Sequence, residues 1–115
     1  MSIKIERIAS QIEKEIGYIL MMEVRDKDLK FVSVTGVKLA SDLSYAKVYV
    51  TALDEEKKNS IMKSLNDAKG FIRRELTERV DIRHIPELEF IYDESIAYGK
   101  KIENIISNIH KENND

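Results

Sequence analysis

The chain has 115 residues, 43% of them hydrophobic and 35% charged, with four glycines, one proline and no cysteine. That profile fits one compact domain and excludes a collagen-like or intrinsically disordered chain. The missing cysteines also exclude disulfides, thiolate zinc sites, iron–sulfur clusters and a cysteine nucleophile, and they fit a reducing cytoplasm. Net charge is −2, but it is unevenly spread: residues 81–115 hold four basic against eight acidic side chains, while residues 54–80 hold seven against six. Phosphate binding follows the local field more than the sum, so a nucleic-acid partner stays permitted. The N-terminus is charged from Lys4, and no apolar run approaches the ~18 residues of a membrane span. No signal peptide, transit peptide or anchor is expected.

Ile5, Ile8, Ile12, Ile16 and Ile19 fall on one face of a helix over residues 3–22. Ser2 is the expected N-cap, and Gly17 suggests close packing in that helix's interior. A polar connection at 25–28 follows. From Phe31 to Leu39 the pattern has period two and slips phase at Gly36, which predicts a strand with a bulge. Residues 40–44 carry turn chemistry, with Asp42 ordering the loop. A second strand over 45–51 turns Ala46, Val48 and Val50 inward and Tyr45, Lys47, Tyr49 and Thr51 outward, completing an antiparallel hairpin.

Asp54 suits a helix N-cap, with Glu55 and Glu56 at the positive end of the helix dipole. The apolar stripe of Ile61, Met62 and Leu65 stumbles at 66–70 and resumes at Phe71, Ile72, Leu76 and Val80. Two short helices joined by a tight kink at Ala68, Lys69 and Gly70 are predicted. Residues 88–92 read as a third strand. Ser95 is the expected cap of a last helix bearing Tyr98, Ile102, Ile105, Ile106 and Ile109, with 111–115 as a frayed tail. The predicted class is α+β, three strands with helices covering one face, in one domain over residues 1–115.

No catalytic or metal-binding constellation emerges. His84 and His110 stand in different elements, and neither a metalloprotease helix motif, a nucleophile elbow nor a phosphate-binding glycine loop is present. The acidic pairs Glu55-Glu56 and Asp93-Glu94 are explained by capping. Two features suggest a binding surface. Lys63, Lys69, Arg73, Arg74, Arg79 and Arg83 cluster along the kinked helices, and the helix restarting at Gly70 presents backbone N–H groups to which a phosphate can come close. The other reading is a solvated helix surface interleaved with Glu75 and Glu78. On the hairpin, Tyr45, Lys47 and Tyr49 alternate aromatic and cationic groups, which suits stacking on bases as well as ordinary sheet packing.

These pieces in this order resemble the ribosome-binding factor A family over essentially the whole chain. The matching stretches are Arg7-Ile8-Ala9 with Glu15-Ile16, then Val34-Thr35-Gly36-Val37. They continue with Ser41 to Val50, Ala68 to Arg73 around the kink, Arg83, Pro86 to Phe90, Asp93, Ser95 and Gly99. The resemblance implies a type II KH-like domain in which an interhelical Ala-x-Gly kink, here Ala68, Lys69 and Gly70, replaces the GxxG loop. No GxxG occurs, the glycines being 17, 36, 70 and 99. It further implies a non-enzymatic, cytoplasmic assembly factor. Such a factor binds the free 30S small ribosomal subunit, assists late maturation and 5′-end processing of 16S rRNA, and matters in the cold. The expected RNA contacts are Lys63, Lys69, Gly70, Arg73, Arg74, Arg79 and Arg83, with Lys38 and Lys47 from the hairpin. A monomer with no cofactor, metal, membrane or small-molecule substrate is expected. The rival expectation is a protein–protein module that recognises a ribosomal protein or an assembly GTPase.

Overall fold

Residues 3–95 are described by the computed structural model of the chain. Helix α1 runs Ile3–Met22 and buries Ile8, Ile12, Ile16, Ile19 and Leu20, the stripe that isoleucine spacing dictates. Gly17 departs from expectation. Nothing lies within 4 Å of where its side chain would stand, so it marks no close approach. Ser2 and the predicted last helix and tail (96–115) lie outside the described residues.

The connection that follows is more ordered than its polar composition suggests. Lys27–Phe31 forms a 3-10 turn, and the Asp26 carboxylate accepts a hydrogen bond from the Asp28 N–H at its start. Phe31 therefore ends this turn rather than opening the strand, and it is 63% exposed. Strand β1 is Val32–Leu39 and strand β2 is Tyr45–Ala52. They pair antiparallel, with a register shift between Val34 and Gly36. The extra residue explains the phase slip, because Val32 and Val34 face Ala52 and Val50, whereas beyond it Val37 and Leu39 face Val48 and Ala46. The apolar face is thereby kept continuous.

The hairpin turn places Leu43 at φ 64°, a left-handed conformation costly for a branched side chain. Asp42 holds it there, accepting from both the backbone N–H and the hydroxyl of Ser44. These two bonds, the hydroxyl's first, also hold the Asp42 carboxyl below its ordinary pKa of 3.8.

Asp54 caps a second 3-10 turn, Glu55–Lys57, which leads into helix α2, Lys58–Asp67. Ala68 alone separates α2 from helix α3, Lys69–Arg79. Strand β3, Glu87–Tyr92, then pairs parallel to β2, giving a mixed three-stranded sheet in the order β1-β2-β3. Parallel neighbours need a crossover of about a dozen residues or more, and α2 with α3 supply it.

Ile61, Leu65, Ile72 and Leu76 join the α1 stripe and the inward residues Val48, Val50, Leu88 and Phe90 in one buried cluster. Each such side chain contributes about 1.5–3 kcal/mol on burial. Thus α1, α2 and α3 bury their stripes with one face of the sheet, while Lys38, Lys47 and Tyr45 on its other face are exposed. At the end of β3 the side-chain acceptor is Asp93 rather than Ser95, since Ser95 donates both its N–H and its hydroxyl to Asp93 Oδ1. Asp93 Oδ2 also accepts from Thr35 Oγ1 at 2.6 Å, tying the bulge to the far strand.

Candidate nucleic-acid interface

The crossover determines where the basic side chains meet. Because β3 runs parallel to β2, the chain must return from the end of α3 through residues 80–86 to the start of β3. A cleft of about 410 Å³ opens between that return segment and α3, lined by Gly70, Arg73, Arg74 and Thr77 on one wall and by Ile82, Arg83, His84 and Ile85 on the other. None of these lining residues is acidic.

Arg73 fastens the two walls together. Its Nε donates to the Pro86 carbonyl at 3.2 Å, and a terminal nitrogen donates to the Ile85 carbonyl at 3.0 Å. Both acceptors are neutral, so the fork is positioned without its charge being cancelled. Arg74 and Arg83 are exposed, and among the described residues neither has an ion-pair partner. Lys69 and Arg73 sit one helical turn apart on the same helix, so they share a face.

Gly70 is exposed, has nothing within 4 Å of the missing side chain, and has no positive φ. It contributes open space over backbone, not an unusual conformation. No side chain caps the first turn of α3, which leaves its early N–H groups available to an anion.

The other expected contacts separate. Lys63 is exposed on α2 and does not line the cleft. Lys38 and Lys47 lie opposite each other on the outer sheet face. Arg79 leaves the group altogether and turns toward α1. There it meets Glu15 at 3.6 Å, Glu23 at 3.1 Å and Glu75 at 3.7 Å, with its guanidinium 4.9 Å from the centre of the Tyr18 ring. Three carboxylates around one cation leave no net attraction for a phosphate. Glu75, four residues earlier on α3, was a visible partner, but Glu15 and Glu23 arrive from a distant stretch of chain. Conversely, His84, which as a metal or catalytic group has no partners among the described residues, lines the cleft. The sequence does not signal this, because the return segment has no periodicity that would fold it over α3; Thr77 joins it from the α3 wall.

Among the described residues no group of three or more histidine, aspartate or glutamate side chains could hold a metal ion, and no helix is long and apolar enough to cross a membrane. Among the described residues, a mixed three-stranded sheet layered with three helices and carrying a cleft lined by Arg73, Arg74 and Arg83 defines a small α+β protein with a basic surface site. Comparison with known proteins makes the class specific. A family model described as ribosome-binding factor A matches residues 4–106, and the chain belongs to that family. Ribosome-binding factor A of Macrococcus caseolyticus (strain JCSC5402) is 43% identical over 113 residues, spanning 97% of this chain and 99% of the relative. That of Staphylococcus carnosus (strain TM300) is 46% identical over 107 residues, spanning 92% and 93%. The crystal structure of ribosome-binding factor A from Thermus thermophilus superposes with a TM-score of 0.68 at 27% identity, covering 76% of this chain and 94% of the other. A Thermus thermophilus RbfA homology model, fitted into the cryo-EM map of a 30S–RbfA complex, gives 0.62 at 28% identity, covering 75% and 91%. The family is one of binding factors and not of enzymes, in line with the expectation drawn from the missing catalytic motifs.

Proposed function

We propose that this chain is a cytoplasmic ribosome assembly factor that binds the free 30S subunit and assists late maturation and 5′-end processing of 16S rRNA, a task that matters in the cold. In this reading residues 1–115 form one KH-like domain of type II, monomeric and without a cofactor, in which Ala68, Lys69 and Gly70 replace the usual glycine loop. Arg74 and Arg83 meet phosphates across the cleft, Arg73 fixes its width, Lys69 and the amides near Gly70 extend it, and Lys63, Lys38 and Lys47 add outlying contacts. Arg79 is left out of this interface because Glu15, Glu23 and Glu75 surround its charge.

The observation that carries the proposal is the cleft between α3 and the return segment, lined by no acidic side chain among the described residues, in a chain similar to a protein whose homology model has been fitted into the cryo-EM map of a 30S complex. Phosphate contacts position a protein without reading sequence, so selectivity falls to the shape of the RNA. Cosedimentation with 30S subunits over a salt series tests the reading. Binding is expected to weaken steeply with salt, by a slope of about −0.9 per phosphate neutralised. Salt-independent binding, or binding that vanishes when naked 16S rRNA replaces the subunit, would favour a ribosomal protein or an assembly GTPase as the partner.

A further inference from the structure

The outer face of the sheet holds a feature that the cleft does not explain. Lys38 and Lys47 are direct cross-strand partners, and both are exposed. Like charges placed opposite each other on a sheet repel, yet among the described residues neither has an ion-pair partner. Glu89, beside Lys47 in the parallel register, accepts instead from the Tyr45 hydroxyl.

The next pair on the same face is Gly36 and Tyr49. Among the described residues nothing lies within 4 Å of the position a Gly36 side chain would occupy, so none of their side chains stands opposite Tyr49 there. The Lys38 ammonium is 5.7 Å from the centre of the half-buried Tyr49 ring. A depression of about 400 Å³ lies here, bounded by Gly36, Lys38 and Tyr49 and, at the end of β3, by Asp93 and Ser95. Its volume is within the range of small-ligand sites.

We infer that this depression is a slot for one unpaired nucleotide of single-stranded RNA. The Tyr49 ring stacks the base, and Lys38 and Lys47 hold the adjoining phosphate. An anion between the two lysines turns their mutual repulsion into attraction to a common partner, which is the charge complementarity that selects a nucleic acid over an apolar peptide. The bulge serves this arrangement by setting Gly36, rather than a bulky residue, across from the ring. The inference rests on the RNA-binding reading above, but its residues belong to β1 and β2 and are separable from the cleft on α3.

The test is an NMR titration of the full-length, isotopically labelled chain with a short oligouridylate and, separately, with an RNA duplex. The oligouridylate is expected to move the amides of Gly36, Lys38 and Tyr49. Tyr49→Phe keeps this response, and Tyr49→Leu weakens it roughly tenfold. As a second variant that leaves the sheet's packing alone, Lys38→Gln with Lys47→Gln lowers the salt slope by about 0.7 in total, the share of the one phosphate that the two lysines hold. Charge reversal of Arg74 and Arg83 leaves the sheet response in place. Shifts confined to the cleft, or variants at Tyr49 and the lysines that bind as the parent does, overturn the slot while the cleft reading stands. Absence of any response to either RNA, at the sheet or at the cleft, overturns both.

Discussion

The two ends of α3 carry the same kind of side chain and differ in almost everything else. Near its start, Arg73 is held by neutral carbonyls and Arg74 stands exposed beside a cleft that no acidic side chain lines among the described residues. At its end, Arg79 is only 26% exposed and is ringed by Glu15, Glu23 and Glu75. The difference lies not in the helix but in what packs beside it. Glu15 of α1 and Glu23 just beyond it add their carboxylates to that of Glu75 at one end, while the return segment supplies backbone oxygens and a further arginine to the other. Counting cations along a helix therefore overstates its basic surface, and the neighbours decide which charges remain available.

The largest expected effect comes from reversing the open end. Arg74→Glu with Arg83→Glu should weaken 30S association by about 100-fold or more at physiological salt, with an unfolding midpoint in urea close to the parent's. Retained binding in cosedimentation would break the comparison outright. At the closed end the outcome should invert. Arg79→Leu leaves three carboxylates facing one another and should cost about 1–2 kcal/mol of stability by urea denaturation, while subunit affinity stays as it was.

Arg73→Lys sharpens the middle case. A lysine cannot reproduce the fork that reaches both carbonyls, so about 0.5–1.5 kcal/mol of stability should be lost, with a smaller fall in affinity than the double reversal gives. The smallest effect is expected for Gly70→Ala. Its backbone is ordinary helix in open space, so stability should rise by about 0.5 kcal/mol. Affinity should nevertheless fall, because a methyl group then stands where a phosphate would approach the amides. Gains in both quantities would mean that no phosphate comes near.

Much of this architecture is legible in the sequence alone. The isoleucine stripe of α1 defines its own face, and the phase slip around Gly36 announces the bulge because a period-two pattern tolerates no other repair. The break near Ala68 is visible for the same reason, as a stripe that loses its phase and recovers it. What stayed hidden depends on contacts between distant segments. Arg79 looked like its neighbours because Glu15 and Glu23 lie more than fifty positions away in the chain. Gly17 suggested tight packing, although its side of α1 meets open space. The wall made by Ile82 to Ile85 is irregular, and irregular segments leave no periodic trace of what they fold over.

The single-residue joint at Ala68 has a thermodynamic consequence. With one residue between α2 and α3, with Ala68 itself packed on the core and with Arg73 bolting α3 to the entry of β3, the elbow has few ways to rearrange. A ribose-phosphate chain that docks there meets a preformed die, and the entropy lost on docking falls on the nucleic acid rather than on the protein. On the proposed RNA-binding reading, such a corner would select among RNA conformers by accepting those already bent to fit it, and stiffness at one alanine would become a source of discrimination without any base being read.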